Sequence, residues 1–144
     1  GSDAAIEAAD VVFRSGLPIT MAGLDVTEQA WFSPAEFAAL PDTPVGRFAR
    51  AATAGPMQKN MARGAGGLCL HDVCPVLYLT HPELFTGRQA GVHVETRGTV
   101  TYAKTVTDLD SDAKFPERNV FVVLGVDRAG FAAHITEALS SYAG

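Results

Sequence analysis

The side chains best suited to chemistry in this sequence lie in one short segment, residues 69–74, which reads CLHDVC. The segment places an imidazole, a carboxylate and two thiols between a glycine-rich run and an apolar stretch. The imidazole of His71 can donate or accept a proton near neutral pH, and the carboxylate of Asp72 can bind a hard cation. We therefore predict that His71 and Asp72 belong to a functional site.

The same segment coincides with a predicted helix start. Residues 72–80 are apolar enough to form a buried helix, and Asp72 stands in its first turn. The backbone N–H groups and the dipole at the beginning of a helix favour a negative charge. We expect Asp72 to stay ionised there while His71 faces a ligand.

The two thiols, Cys69 and Cys74, admit two interpretations. A structural zinc site usually needs four ligands, and only His71 lies near enough in sequence to add a third. Buried, reduced cysteines also pack as small hydrophobic residues, and this interpretation suits the two positions better. A metal-binding or redox module is kept as the alternative.

Composition indicates a globular protein with one hydrophobic core. Of 144 residues, 47% are hydrophobic and 19% are charged, which predicts one domain, or part of one, over residues 1–144. The formal net charge of -5 and the scattered Lys and Arg residues argue against nucleic-acid binding. No apolar run is long enough to cross a membrane and no secretion signal is visible, so we expect a cytoplasmic protein with no membrane partner.

The first elements alternate between helix and strand, as in α/β proteins. Residues 3–14 predict an amphipathic helix, and residues 17–24 predict a strand buried on both faces. The inward residues of this helix are predicted to be Ile6, Ala9, Val12 and Phe13. Ligands of open α/β sheets lie at the carboxyl ends of strands, so Asp25 is a candidate functional residue. A turn capped by Asp25 or Thr27 explains the same residues equally well.

Two helices are predicted after this strand. The first begins at Ser33 with a capping box and a proline. The second covers 45–54 and ends at a glycine–proline pair, which leaves 57–63 as helix or loop. The inward residues of the second helix are predicted to be Val45, Phe48 and Ala52. The neighbouring aromatic residues Trp31 and Phe32 are predicted to pack in the core or in an interface.

The second half of the chain predicts more strands and a final helix. Residues 90–96 alternate, which predicts a strand with inward valines and with His93 and Glu95 at the surface. Residues 99–107 predict an antiparallel extension or a hairpin, and 119–126 predict another strand. The final helix is predicted to begin at Asp127, to place Phe131, Ile135 and Leu139 inward, and to carry His134 in a structural role.

The acidic run at Asp108, Asp110 and Asp112 matches the beginning of a calcium-binding loop. The sixth position of that loop is Ala113 instead of glycine, and the twelfth is Asn119 instead of glutamate. We therefore predict a solvated acidic turn and no calcium site there.

Short segments in order across nearly the whole chain resemble the inosine–uridine-preferring nucleoside hydrolase family. They are EAADVVF (7–13), SGLPITM (15–21), GLDVT (23–27), TPVGRF (43–48), LHD (70–72), YL (78–79), PELF (82–85), VETRG (94–98) and TV (105–106). The resemblance implies an α/β fold with part of an open, mostly parallel sheet and flanking helices. The matched segments look like the carboxy-terminal half of such an enzyme.

The resemblance also implies a reaction, hydrolysis of the N-glycosidic bond of ribonucleosides to ribose and a free base. Family members hold a Ca²⁺ ion that binds the ribose hydroxyls and the attacking water. Carried over to this sequence, His71 is the general acid that protonates the departing base, and Asp72 is a calcium ligand. Because family members are usually dimers or tetramers, the implied partners are a ribonucleoside substrate and further copies of the chain in a homo-oligomer.

The aspartate-rich motif that supplies most calcium ligands in this family is absent from the sequence. One carboxylate cannot provide the roughly six to eight oxygens that calcium takes. We therefore expect this chain alone to bind calcium poorly and to turn over slowly or not at all. The alternative is a non-catalytic interaction or regulatory domain that keeps the fold.

Overall fold

The structure is a computed structural model that describes residues 3–110 and 114–142. The chain divides into two compact units. The first contains the described residues up to Met21 together with those from Gly87 to Val123, and the second contains Ala22–Thr86 and the described residues from Leu124 onward. No helix in these described ranges is both long enough and apolar enough to cross a membrane.

Helices and strands alternate along much of the chain. The helices are α1 (Asp3–Phe13), α2 (Leu24–Thr27), α3 (Pro34–Ala38), α4 (Pro44–Ala62), α5 (Val73–Thr80) and α6 (Arg128–Ser141), with a 3₁₀ turn η1 (Pro82–Leu84). The strands are β1 (Ile19–Ala22), β2 (Trp31–Phe32), β3 (Leu68–Cys69), β4 (Phe85–Val94), β5 (Thr105–Asp108) and β6 (Val120–Val126). One sheet has the order β1-β6-β4-β5, and β2 pairs with β3. The predicted α/β fold with helices beside the sheet is confirmed.

In the first unit, β5 pairs antiparallel with β4. Val94 lies opposite Thr105, and Gly91 lies opposite Asp108. Val92 and Val94 are buried, as the alternation of the sequence predicts. The inward valines are confirmed, and the antiparallel extension is confirmed from Thr105 onward, whereas residues 99–103 form turns.

The beginning of the chain is less buried than predicted. The helix α1 is confirmed, but Val12 on its predicted inward face is 54% exposed. The strand β1 is shorter than predicted and lies at an edge of the sheet, and none of its residues is fully buried. Leu17 lies outside the strand and is 65% exposed. An apolar run of this length therefore belongs here to an edge strand, which has a neighbour on one side only.

His93 is not the surface residue that the alternation predicts. Its ring stacks on Phe115, with ring centres 3.8 Å apart and an interplanar angle of 9°. Its Nε2 atom is buried and lies 3.8 Å from a carboxylate oxygen of Glu117. The prediction is wrong because the segment before β6 covers this face of β4, which no periodic pattern of the strand itself reveals.

Asp108 is likewise not in a solvated turn. Its carboxylate accepts hydrogen bonds from the backbone N–H groups of Lys114 at 2.7 Å and Asp110 at 3.1 Å, and Arg118 lies 3.6 Å away. These donors, above all the N–H of Lys114, hold the pKa of Asp108 below its usual range. Asp110 is exposed as predicted, whereas residues 111–113 lie outside the described part of the chain.

The described residues of the second unit include an apolar cluster. Its buried members are Phe32, Phe37, Leu40 and Ala132, and the partly buried members are Ala49, Met57, Leu68, Leu70, Ile135 and Leu139. Phe32 is completely buried, which confirms its predicted core role. The inward face predicted for α6 is confirmed too, and the side chain of Asp127 accepts the N–H of Gly130 at the start of that helix.

The capping box at the start of α3 also takes part in a larger polar contact. The Ser33 hydroxyl accepts the N–H of Glu36 at 3.1 Å, and the Glu36 carboxylate accepts the N–H of Ser33 at 2.7 Å. The same carboxylate accepts hydrogen bonds from Arg128 at 3.0 Å. The guanidinium carbon of Arg128 lies 4.4 Å from the centre of the Trp31 ring. A local helix cap thus holds α3 against α6.

The helix α4 differs from its prediction in length and in register. It runs through Gly55 and Pro56 to Ala62, so the predicted interruption is wrong and residues 57–62 are helical. Phe48, predicted to face inward, is 74% exposed, and Ala52 is exposed as well. The residues that face the core or are shielded from solvent are instead Val45, Gly46, Ala49, Arg50, Thr53 and Met57.

A polar contact explains the register of α4. The guanidinium group of Arg50 donates hydrogen bonds to the backbone carbonyls of Leu40 and Pro41, which places this charged residue on the inner side of the helix. The hydroxyl of Thr53 donates to the carbonyl of Ala49 at 2.7 Å, one turn before Pro56. The inner face of α4 is predicted from apolar residues alone. The prediction is wrong because part of the inner side of this helix is polar.

The interactions of Glu36 predict a pH-dependent contribution to stability. Burial alone raises its pKa, but the hydrogen bonds from Ser33 and Arg128 outweigh burial and lower the pKa below 4.5. The stabilisation is therefore present above the unfolded pKa and is lost as the pH falls through the folded pKa. We expect Glu36→Gln to reduce the free energy of unfolding by about 1 kcal/mol at pH 7 and by much less at pH 3.

Urea unfolding at both pH values checks this expectation. Glu7→Gln, at an exposed position of α1, serves as the control for the loss of one carboxylate. An equal loss of stability for Glu36→Gln at pH 3 and pH 7 would show that the charge of Glu36 does not stabilise the fold.

Candidate active site around His71

The backbone before His71 is fixed by a short strand pair in the second unit. Trp31 lies opposite Cys69 and Phe32 opposite Leu68 in the antiparallel pair of β2 and β3. The N–H of Leu70 then donates to the carbonyl of Ala30 at 3.0 Å. These contacts place the end of β3, and the turn that follows it, beside the segment that leads out of α2.

A glycine and an amide side chain support the entry into β3. A side chain at Gly67 would collide with the carbonyl oxygen of Phe32, so the two backbones approach closely only because this residue is glycine. The side-chain amide of Asn60, near the end of α4, donates to the carbonyl of Gly67 at 3.3 Å. The glycine-rich run of the sequence therefore has a packing role here.

His71 is exposed to solvent, and one of its ring nitrogens contacts a buried hydroxyl. Its Nδ1 atom lies 2.8 Å from the Oγ1 atom of Thr27, the last residue of α2. Thr27 is only 4% exposed, and its neighbour Val26 is completely buried. The hydroxyl therefore has a fixed position, and the contact at Nδ1 leaves Nε2 of His71 available to a ligand.

Thr27 is a site residue that the sequence predictions miss. The sequence suggests Thr27 only as a possible helix cap. In the structure Gly23 is the N-cap of α2, and no side chain forms a capping hydrogen bond there. Asp25, the other candidate at this position, is exposed within α2. The only sequence feature that points to Thr27 is the segment GLDVT at 23–27, which is part of the family resemblance. That segment does not indicate that Thr27 contacts His71, 44 residues further along the chain.

Asp72 follows His71 directly but does not act as the predicted helix cap. It is exposed, its backbone is already helical, and its side chain makes no capping hydrogen bond to α5. The prediction of backbone donors for this carboxylate is therefore wrong. The structure places His71 and Asp72 in one turn and leaves the Asp72 carboxylate open to solvent.

The helix α5 itself is less buried than predicted. Cys74 is its only buried residue, while Val76 is 59% and Leu79 is 82% exposed. Val76 and Leu79 are therefore not covered by the described residues, although an all-round apolar helix is usually buried. The apolar composition of 73–80 therefore predicts the helix correctly and its burial wrongly.

The two cysteines differ in burial, and both have raised thiol pKa values. Cys74 is buried, and burial together with the neighbouring Cys69 raises its pKa to about 11. Burial, and to a smaller extent the negative charge of Glu28, raise the pKa of Cys69 as well. Because the thiolate is the reactive form, these shifts argue against a nucleophile at the two cysteines. Both are free thiols.

The described residues do not by themselves fit a calcium ion at Asp72. Calcium takes roughly six to eight oxygen ligands, and Asp72 offers one carboxylate in an exposed turn. Among the described residues, one group of three or more His, Cys, Asp or Glu side chains could hold a metal ion. It consists of His81, Glu83 and His134, and it includes neither His71 nor Asp72.

A separate cleft of about 560 Å³ lies within the first unit. Its charged lining includes Asp10, Arg14, Glu95 and Arg97, and His71 is not part of it. Asp10 and Arg14 form an ion pair at 3.0 Å, and Glu95 accepts the backbone N–H of Arg97 at 2.7 Å. These groups are engaged with one another, so the cleft is a weaker candidate than the turn at His71.

Comparison with known proteins agrees with the fold and with the family resemblance of the sequence. A sequence model of the family described as inosine-uridine preferring nucleoside hydrolase matches residues 4–133. Two similar relatives are the proteins named non-specific ribonucleoside hydrolase RihC from Shigella boydii serotype 4 (strain Sb227) and from Escherichia coli O1:K1 / APEC. Each is 41% identical over 139 residues, which is 93% of this chain and 43% of the relative.

Solved structures show the same relationship. A purine-preferring ribonucleoside hydrolase from Gardnerella vaginalis superposes with a TM-score of 0.81 at 32% identity, over 95% of this chain and 44% of that one. A plant nucleoside hydrolase, the PpNRh1 enzyme, shares the fold with a TM-score of 0.79 at 24% identity, over 94% of this chain and 45% of that one. The chain thus spans less than half the length of the proteins it matches, and it belongs to the inosine-uridine preferring nucleoside hydrolase family.

Proposed function

We propose that this chain takes part in hydrolysis of the N-glycosidic bond of ribonucleosides, with a ribonucleoside as substrate and ribose and a free base as products. Family membership supports the reaction class. The observation that carries the proposal is the contact between Thr27 and His71, because it fixes one ring nitrogen and leaves the other free. A histidine held in this way is suited to deliver a proton to a bound ligand.

The proposed step at His71 follows from the chemistry of the bond. Cleavage of an N-glycosidic bond passes through a ribosyl-cation-like state, and the electron pair of the bond leaves with the base. In the proposed state His71 is protonated, Nδ1–H donates to the hydroxyl of Thr27, and Nε2–H transfers its proton to the departing base nitrogen. Water adds to the ribose carbon and releases one proton to the solvent, and His71 takes one proton back from the solvent, so that nucleoside and water give ribose and free base.

In the same proposal, Asp72 contributes one ligand to a Ca²⁺ ion. Its carboxylate is exposed, lies next to the proposed acid in sequence and makes no capping contact, so it is available to a cation. A calcium site that includes Asp72 needs further oxygen ligands beyond those the described residues place around it. Three further expectations stay predictions. They are the cytoplasmic location, the assembly into a homo-oligomer, and a single domain, or part of one, over residues 1–144.

Loss of the imidazole at position 71 tests the proposed acid. We expect His71→Ala to lower kcat on inosine by about 100- to 10,000-fold, the usual range for a general acid. The same variant should keep most of its activity on 4-nitrophenyl riboside, because the nitrophenolate leaves without a proton. The measurement uses the longest natural polypeptide that contains this sequence.

His93→Ala is the matched control for the loss of one histidine, since His93 takes no part in the proposed step. Normal hydrolysis of inosine by His71→Ala would refute the assignment. Equal losses on inosine and on 4-nitrophenyl riboside would also contradict it, because they would indicate a structural role for His71.

Thr27 is proposed as a positioning residue that acts through His71. We expect Thr27→Val, which removes the hydroxyl and keeps the volume, to lower kcat on inosine about 10-fold with little change in KM. Thr27→Ser should restore most of the activity because it keeps the hydroxyl. If Val and Ser behave alike, or if activity on 4-nitrophenyl riboside falls equally, the contact does not position an acid.

The chain of 144 residues is expected to bind calcium weakly and to hydrolyse inosine and uridine slowly or not at all. Calorimetric titration with CaCl₂, with and without ribose, measures the first property, and release of free base measures the second. Tight stoichiometric calcium binding would refute the expectation. Hydrolysis abolished by His71→Ala would refute it too while supporting the acid, whereas a full natural polypeptide without activity would favour the non-catalytic alternative.

A further inference from the structure

Two histidines and a glutamate meet in the second unit at a place that the proposed reaction does not use. One ligand atom from each of His81, Glu83 and His134 lies within 4.8 Å of the others. The rings of His81 and His134 are 4.0 Å apart between centres, with an interplanar angle of 32°. Both histidines are half-buried and Glu83 is exposed.

Each of the two rings has one nitrogen near a polar group. The Nδ1 atom of His81 lies 3.0 Å from the hydroxyl of Thr80, and the Nδ1 atom of His134 lies 3.8 Å from a carboxylate oxygen of Glu137. Histidines that bind metals usually donate their second ring N–H to a hydroxyl, carbonyl or carboxylate in this manner. The contact with Thr80 suits the tautomer of His81 in which Nε2 carries the free lone pair, whereas the 3.8 Å separation at His134 is too long for a hydrogen bond and sets no tautomer.

We propose that His81, Glu83 and His134 form a binding site for a divalent transition-metal ion of the zinc type. Two imidazole nitrogens and one carboxylate oxygen are a common ligand set for Zn²⁺, which takes a tetrahedral arrangement completed by water. With bonds of about 2.1 Å, neighbouring ligand atoms of such a site lie about 3.4 Å apart. The ligand atoms here lie within 4.8 Å of one another, so they must approach by about 1.4 Å at most; the exposed side chain of Glu83 can move freely, and the two rings must adjust as well.

Ligand chemistry separates this site from the calcium ion proposed at Asp72. Calcium and magnesium prefer oxygen ligands, so two imidazoles select against both ions. The site contains neither His71 nor Thr27, and its existence does not depend on the proposed reaction. Stacking of the two rings alone would explain the 4.0 Å contact but leaves the convergence of Glu83 on the same point unexplained.

A metal ion here would act on the fold. His81 ends α5 and precedes η1, Glu83 lies within η1, and His134 lies on α6. The backbone already joins these elements, since the N–H of Asp127 donates to the carbonyl of Leu84 at 2.7 Å. A bound ion would add a second connection between η1 and α6 and would stabilise the folded state by binding to it alone.

Titration of the untagged, metal-free chain with ZnCl₂ tests the proposal. We expect one Zn²⁺ per chain by calorimetry and by elemental analysis after dialysis, and a higher Tm in the presence of Zn²⁺. We expect His81→Ala and His134→Ala each to weaken binding at least about 10-fold, and Glu83→Gln to weaken it less. Co²⁺ in place of Zn²⁺ should give the visible absorption of a tetrahedral site, which both histidine variants lose.

The chain supplies matched controls, because its other two histidines are His71 and His93. His71→Ala and His93→Ala should keep the affinity for Zn²⁺. If His81→Ala or His134→Ala does not fold by circular dichroism, Glu83→Gln and the Co²⁺ spectrum of the unaltered chain decide the question. Absence of stoichiometric Zn²⁺ binding, or equal affinity in the unaltered chain and the variants at 81, 83 and 134, would overturn the proposal.

Discussion

The hydrogen bond between Thr27 and His71 is the contact that the candidate site depends on. It joins two side chains that are 44 residues apart, and a shift of either backbone by one ångström would break it. Its geometry is set by the strand pair of β2 and β3 and by the hydrogen bond from Leu70 to Ala30. The candidate site is therefore fixed by backbone pairing, and the reactive group itself remains exposed.

A strand pair of two residues on each side is not stable alone, so the second unit must hold it in place. Phe32 from β2 is completely buried in the apolar cluster, and Leu68 from β3 packs against the same cluster. Trp31, the other residue of β2, contacts the guanidinium group of Arg128, which is itself bound by Glu36. The apolar core on one side and the polar contact on the other thus hold the two strands beneath His71.

Structural features that depend only on residues close in sequence could be predicted. Features that depend on contacts between residues far apart in sequence could not. The caps at Ser33 and Asp127 are local hydrogen bonds within four residues, so their signals are complete in the sequence. The strand β6 is recognisable because a long run of β-branched residues has few alternatives. His71 was identified as a candidate from its neighbours, but its partner Thr27 was not, since nothing local to either residue indicates the contact.

The wrong predictions have the same origin. Periodicity places Phe48 inside because it counts apolar residues, whereas the helix turns Arg50 inward to satisfy two carbonyl groups. His93 is covered by Phe115, a residue from a segment without regular structure, and Pro56 is accepted in a helix whose ends are held by other contacts. Each case is decided by tertiary contacts that outweigh local preference.

Pro56 has a consequence for how α4 can move. Because proline has no N–H, the carbonyl of Ala52 receives no helical hydrogen bond, and the ladder of the helix is interrupted there. The first half of α4 is held by Arg50, and the last turn is held by Asn60 at the carbonyl of Gly67. Local unwinding of the last turns therefore need not spread past Pro56 to the core. Such fluctuations would reach β3 directly through Gly67, so they would loosen the residues that lead to His71 and the partly buried members of the cluster before its buried members Phe32 and Phe37.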